Sequence, residues 1–350
     1  MKNNLFAYAT SELSQDAFLC WLASYALEGA ENDPALRRCA ADMLTLFVPE
    51  LKGQTFTLTG IERQKYRTDV LFTVAAGERV YKIAVEDKTF TGEHGGQLSR
   101  YLAALRAHHP GCEARGVYYK TEFQSDWRAV REAGYRIIGR ADMLRLLSGY
   151  AGQTRNRVFL DYYRWLDGRQ REAERYRACP LAEWGDPQIL AFYDALQSGP
   201  FAREHGVAMG YGYVPNGSGG FQALWIGREE HIEGDTPAAG QRGLPLVQGV
   251  PCALYLQIEA KAHPFPICLK LSPRPQPGQD VAYGRIRDAV AFDENRQYRL
   301  GGFHFDRPGR LRCGRHMTVG VYHAAYATGE QLTQALAAAV ADYLRLLDTL

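Results

Sequence analysis

No run of this sequence reaches the roughly 18 consecutive apolar residues that a membrane-spanning helix requires, so no transmembrane helix is expected. The opening residues Met1-Lys-Asn-Asn-Leu-Phe-Ala-Tyr lack the long apolar core of a secretory signal. Cysteine pairs are missing too. The seven cysteines (Cys20, Cys39, Cys112, Cys179, Cys252, Cys268 and Cys313) are scattered, odd in number and never spaced C-x-x-C. That pattern argues against a zinc ribbon or a disulfide framework and fits a reducing, cytoplasmic setting. An excess of charge of either sign is also absent. The formal net charge is +2, which excludes a uniformly basic coat for nucleic acid but leaves room for a local basic patch. There is no internal repeat and no low-complexity tract.

What is present is an ordinary globular composition, 46% hydrophobic and 23% charged, in 350 residues, enough for two domains. The 21 tyrosines and 15 phenylalanines belong first to cores and only second to base-stacking surfaces. Helical periodicity at Leu13, Ala17, Phe18, Trp21, Leu22 and Tyr25 predicts a first helix over residues 11–30, with Ser11 as N-cap. A second helix is expected over Pro34–Phe47, with Pro34 in its first turn. The period then changes, and 54–62, 67–75 and 79–87 read as successive strands. A helix over 93–108, strands over 114–119 and 135–138, and a closing helix over 142–150 complete a domain spanning 1–150. The expected fold class is α/β, a mixed sheet flanked by helices. Residues 151–200, helical and strongly charged from about 154 to 198, read as a connector. Residues 201–350 read as a second, α+β domain, with strands at 254–259 and 267–271 and a terminal helix over 330–347.

The segment from Asp69 to Lys88 is the most informative. Two strand-like runs flank Gly77-Glu78, a two-residue type II′ hairpin signal. With that turn, Val74 faces Tyr81, Phe72 faces Ile83 and Val70 faces Val85, all on one apolar side. The other side pairs Leu71 with Ala84, Asp69 with Glu86, and Arg67 with Lys88. Two carboxylates opposite one another repel. A divalent cation between them, or a salt-bridge cluster with Lys88 and Arg67, would relieve the repulsion.

Asp69 followed by Glu86-Asp87-Lys88 at the end of the next strand resembles the PD-(D/E)xK nuclease superfamily. Thr10-Ser-Glu12-Leu-Ser-Gln-Asp-Ala-Phe-Leu-Cys-Trp-Leu looks like the first helix of a bacterial branch of it, and Glu93-His-Gly-Gly-Gln97-Leu-Ser-Arg-Tyr101 looks like the helix after its active-site strand. The resemblance covers about residues 5–150, and Thr68 stands where the name-giving proline would be. It implies a restriction-endonuclease-like fold and a DNA endonuclease leaving a 5′-phosphate, with a role in bacterial restriction or phage defence. Asp69 and Glu86 would be metal ligands for Mg²⁺ or Mn²⁺, with the Asp87 carbonyl and Glu12 as further ligands. Lys88 and Gln97 would join Asp69 and Glu86 as catalytic residues, and Tyr101 would contact substrate. Lys88 is expected to stay protonated beside the carboxylates and to position charge rather than act as a strict base. For Glu12 the plainer alternative is an acid favouring the helix dipole; for Glu93, Gln97 and Tyr101, one turn apart, it is a solvated stripe; for His94, a weaker ligand candidate, it is an incidental loop histidine.

In the second half, residues 296–316 carry Arg296, Arg299, Arg307, Arg310, Arg312 and Arg315 among Phe303 and Phe305, with Asp306 the single acid. Arg310, Arg312 and Arg315 are candidate phosphate contacts; a solvated strand face is the alternative. Gly210-Tyr-Gly-Tyr-Val-Pro-Asn-Gly-Ser-Gly-Gly lacks the ending of a phosphate loop and reads as a hairpin turn. The expected partner is nucleic acid, DNA before RNA, with a second copy or a defence-system protein as further possibilities and no membrane. The competing reading is a catalytically inactive nuclease fold that binds or senses.

Overall fold

The computed structural model describes every residue except 1, 2, 10, 94, 218, 234, 235 and 238–242. Three residues of the sequence reading, Thr10, His94 and Ser218, therefore lie outside the described residues. The chain divides into two compact units, Met1–Glu172 and Ala173–Leu350.

The first unit runs α1 (Glu12–Ser24), α2 (Pro34–Phe47), β1 (Thr57–Arg63), β2 (Val70–Ala76), β3 (Arg79–Lys88), α3 (Gln97–His108), β4 (Glu113–Lys120), α4 (Arg128–Glu132), β5 (Tyr135–Gly139), α5 (Arg140–Ser148) and α6 (Arg157–Glu174). The sheet order is β1-β2-β3-β4-β5. The first three strands are antiparallel, and β4 and β5 run parallel to β3. This is a mixed sheet with helices on both faces. On one face Val70, Phe72, Val74, Tyr81, Ile83 and Val85 join Phe18 and Leu22 of α1, Leu36 and Met43 of α2, and Phe159 and Tyr162 of α6. On the other, Leu71 and Ala84 pack with Leu98, Leu102 and Leu105 of α3.

The hairpin register follows from its turn. Val70 pairs with Val85, Phe72 with Ile83 and Val74 with Tyr81, as the sequence predicts. Of the two turn residues, only Gly77 takes a positive φ, at 59°. That backbone is cheap for glycine and costly for any residue with a Cβ. The pairing stops at Val70, however, because Gln64, Tyr66 and Arg67 all have positive φ (50°, 52° and 67°). The expected ladder pairs of Asp69 with Glu86 and Arg67 with Lys88 therefore do not form. Asp69 precedes the strand, and its carbonyl accepts from the Gln64 N–H at 3.0 Å.

Other boundaries shift for local reasons. Helix α2 starts at Pro34, with the Asp33 carboxylate accepting from the Ala35 and Leu36 N–H groups. Helix α1 ends at Ser24, short of the expected residue 30, as the chain turns and Leu27 bridges Leu58. Ser11 precedes it in extended backbone but makes no side-chain cap. Helix α3 begins at Gln97 rather than 93, after Gly95 and Gly96 with left-handed φ of 63° and 68°. The connector expected over 151–200 is not a separate element. Phe159, Tyr162, Trp165 and Leu166 of α6 are buried in the first core, whereas the helix Asp186–Ser198 belongs to the second unit. The charged face of α6 had hidden an apolar stripe at helical spacing.

The second unit is α+β, and its main sheet is antiparallel. Strands Ala208–Val214, Phe221–Gly227, Val250–Glu259, Ile267–Pro273, Met317–Tyr322 and Phe305–Asp306 follow one another across it, and the short Leu246–Val247 pairs with Val250–Glu259. Val214 pairs with Phe221, so the first half of the glycine-rich run, Gly210 to Val214, is strand and the hairpin connection follows it. Helices Asp186–Ser198, Tyr283–Ala291 and Gly329–Leu347 complete the unit's longer elements. No helix among the described residues is long and apolar enough to cross a membrane. All seven cysteines are unpaired.

Gly77→Ala is expected to lower the stability of the first unit by about 1 kcal/mol, because alanine must adopt the left-handed backbone. The measurement is the urea midpoint; an unchanged midpoint would show that the turn does not hold the hairpin.

Candidate active site

The start of β2 and the end of β3 meet at one end of the sheet. Alternation along β3 places Glu86 and Lys88 on one face and Asp87 on the other. The Lys88 ammonium lies 2.7 Å from Glu86 Oε1 and 3.8 Å from Asp69 Oδ2. It also donates to the Asp87 carbonyl at 3.1 Å. Asp69 Oδ2 accepts from the Asp87 N–H at 2.9 Å, so Asp69 reaches the site through the backbone of β3 rather than through ladder pairing. Gln97, the first residue of α3, donates from Nε2 to Glu86 Oε1 at 3.3 Å. Four of the sequence-predicted residues, Asp69, Glu86, Lys88 and Gln97, are thus brought together.

The electrostatics follow from burial. Glu86 is 4% exposed, and its pKa is pushed up to about 7, first by burial and then by the charge of Asp69. Burial also raises Asp69, against the Asp87 N–H and the Lys88 charge. Burial disfavours the Lys88 ammonium, but its bond to Glu86 and the charges of Glu86 and Asp69 outweigh this and raise its pKa. Lys88 is therefore a fixed cation, in keeping with a positioning role. Glu86 Oε2 is buried with no hydrogen-bond partner among the described residues.

The remaining candidates stand apart. Glu12 Oε1 accepts from the Thr89 N–H at 2.9 Å and the Thr91 hydroxyl at 3.3 Å, clamping the loop after β3. Glu93 lies before α3, and its Oε1 accepts from the Gln97 N–H at 2.9 Å, capping the helix instead of sharing its face. Tyr101 is half-buried on α3; among the described residues no hydrogen bond joins it to Asp69, Glu86 or Lys88. Arg67 has φ 67° outside the strand and makes no ion pair with the carboxylates. Arg310, Arg312 and Arg315 belong to the second unit, exposed in the segment between Phe305–Asp306 and Met317–Tyr322.

Three ionisable groups at this end of the sheet escaped the sequence reading. Asp16, one turn beyond Glu12, is buried with a pKa raised to about 7 by burial and by Asp69. The Asp87 carboxyl is fully buried, and both its oxygens lack partners among the described residues. Burial first, then Asp16, raises its pKa well above the usual range. Lys120 ends β4 in register with Lys88 and donates to the Thr91 carbonyl. Burial lowers its pKa to about 8. The i, i+4 spacing of Glu12 and Asp16 was the one available signal; the parallel pairing that brings Lys120 in is not local.

The donor set can be weighed against a divalent cation. Among the described residues no group of three or more His, Cys, Asp or Glu side chains is arranged to hold a metal. Two carboxylates and a carbonyl form a thinner set, of the kind that suits Mg²⁺, which keeps several waters. Glu86 Oε2 is a buried acceptor without a partner among the described residues, which a cation would satisfy, so the residues fit. The chain matches no family model, no curated protein and no solved structure.

Two outcomes are expected. Glu86 has a raised folded-state pKa, so between pH 4.5 and about 7 the folded state binds more protons than the unfolded one, and stability falls as pH rises through that window. Glu86→Gln should flatten that part of a urea-stability profile; an identical slope would show that Glu86 does not titrate there. Lys88→Met leaves the buried Glu86 and the half-buried Asp69 without their cation and should cost about 3 kcal/mol at pH 8. The cost should shrink at pH 5, where Glu86 takes a proton. A pH-independent loss would assign the effect to packing.

Proposed function

We propose that the first unit is a metal-dependent nuclease with a restriction-endonuclease-like fold, hydrolysing phosphodiester bonds, in DNA before RNA. The reading rests on one observation: the Lys88 ammonium is held between Glu86 and Asp69, where the buried Glu86 and the half-buried Asp69 converge with the Asp87 carbonyl. Asp69, Glu86 and the Asp87 carbonyl would hold Mg²⁺ or Mn²⁺, and the bound ion supplies an acidified water and a polarised phosphoryl oxygen. Lys88 places a fixed positive charge where negative charge develops on the phosphorus oxygens. Gln97 donates through Nε2 to Glu86, which leaves its amide carbonyl free to orient the attacking water. Glu12 holds the loop at Thr89 and Thr91 beside the site and would be a further ligand for the ion. Tyr101 is assigned to substrate contact, and Arg310, Arg312 and Arg315 to phosphate contact. A bacterial restriction or phage-defence role, with a second copy or another defence protein as partner, follows from the same resemblance.

The second reading, a binding or sensing module on a nuclease fold, is favoured by the same ion pairs: Lys88 already neutralises part of the charge, and Glu12 is engaged with backbone. Calorimetry with Mn²⁺ separates the two, since the nuclease requires binding that Asp69→Ala abolishes.

The deciding experiment is cleavage of supercoiled, linear and single-stranded DNA and of RNA with Mg²⁺ or Mn²⁺. Asp69→Ala and Lys88→Ala should each lower the rate about a hundredfold or more, the scale of removing one charge-stabilising group. Equal rates in wild type and both variants would overturn the assignment.

A further inference from the structure

The second unit contains a cleft of about 940 Å³ that the nuclease reading does not use. Its lining includes Arg287, Phe292, Arg296, Arg299 and Arg307. Three acids also line it, so the arginines are not all free. Asp288 is taken by Arg287, whose Nε and Nη2 reach Asp288 Oδ1 at 2.9 and 2.6 Å. Asp293 Oδ1 accepts from the Gln297 N–H at 2.8 Å. Glu294 is exposed. Arg299 is different. Its Nε and Nη2 are buried and meet no acceptor among the described residues. Burial disfavours its charge, and no neighbouring acid offsets this. Buried guanidinium donors normally find an acceptor, since leaving them unpaired is unfavourable. Arg307 makes no ion pair among the described residues either; its guanidinium lies 5.4 Å from the Phe292 ring centroid, at the same cleft.

We propose that this cleft binds a small phosphorylated ligand of nucleotide size, its phosphate oxygens met by the Arg299 guanidinium, turned out of its present buried position to pair its free donors, together with Arg296 and Arg307. The volume falls in the upper part of the range for small-molecule sites, roughly 300–1,000 Å³. Phosphate fits better than a single carboxylate because three guanidinium groups without ion-pair partners among the described residues line one cleft, and phosphate offers more acceptor oxygens in bidentate geometry. Phe292 adds an apolar wall for the non-phosphate part. The inference does not depend on the nuclease assignment, whose metal-holding and catalytic residues lie in the other unit.

The test is isothermal titration of the full-length protein with ADP and, separately, with inorganic pyrophosphate at low salt. Wild type should bind ADP, with pyrophosphate binding more weakly to the same site. Arg299→Gln should weaken ADP by about tenfold or more, Arg299→Lys by less, and the exposed Arg203→Gln not at all. If Arg299→Gln fails to fold, Arg307→Gln carries the same expectation. Absence of binding by either probe would overturn the proposal, as would wild-type affinity in both Arg299→Gln and Arg307→Gln. A short DNA duplex whose binding depends on Arg299 while ADP binding does not would also overturn it, making the arginines a nucleic-acid surface.

Discussion

The pairing of β2 with β3 is the constraint from which the candidate site follows. A strand repeats every two residues, so its register decides which side chains share a face. Gly77 permits the tight turn, and the turn fixes Val70 opposite Val85. That pairing sends Phe72 and Ile83 into one core and Leu71 and Ala84 into the other. It also sends Glu86 and Lys88 to the α3 side, where Gln97 meets them, and Asp87 to the α1 side, where Asp16 does. A slip of one residue would exchange the two sets and replace the Glu86–Lys88 pair by a lone Asp87.

A second consequence is electrostatic. The mixed sheet is covered on both faces, so the groups at its end are withdrawn from water. Burial raises Asp16, Asp69, Glu86 and Asp87 and lowers Lys120, while Lys88 is raised because its carboxylate partners outweigh burial. A fold selected for stability alone has little reason to gather four acids and two lysines at one sheet end, since a buried charge is expensive even when paired. Clusters of perturbed ionisable groups mark functional sites for the same reason, because chemistry needs charges that water does not screen. Asp69, Glu86 and Lys88, with Gln97 bonded to Glu86, meet that description.

Much of the first unit was legible in the sequence because its signals are local. Pro34, suited to a first helical turn, marked the start of α2 to the residue. The glycine of the turn fixed the hairpin, and alternation then placed Glu86 and Lys88 together. Where the reading failed, the deciding force was not local. Helix α1 gives up its last turns so that Leu27 can bridge Leu58. Left-handed residues at 64, 66 and 67 shorten β2 and withdraw Arg67 from the carboxylates. The charged α6 looked like a connector because its solvent face dominates the composition, yet Phe159, Tyr162 and Leu166 close the first core.

By itself the sequence determined the turn, the face of each strand residue and the acid–lysine order along β3, because these depend on backbone geometry over a few residues. Tertiary structure decided the rest. Parallel pairing brought Lys120 beside Lys88, and the approach of α1 buried Asp16 against Asp87. Folding of the loop after β3 engaged Glu12 with Thr89 and Thr91. Each of these contacts joins residues far apart in the chain, where no periodicity can encode the partner. Desolvation, which sets the charge state of the whole cluster, exists only once both faces of the sheet are covered.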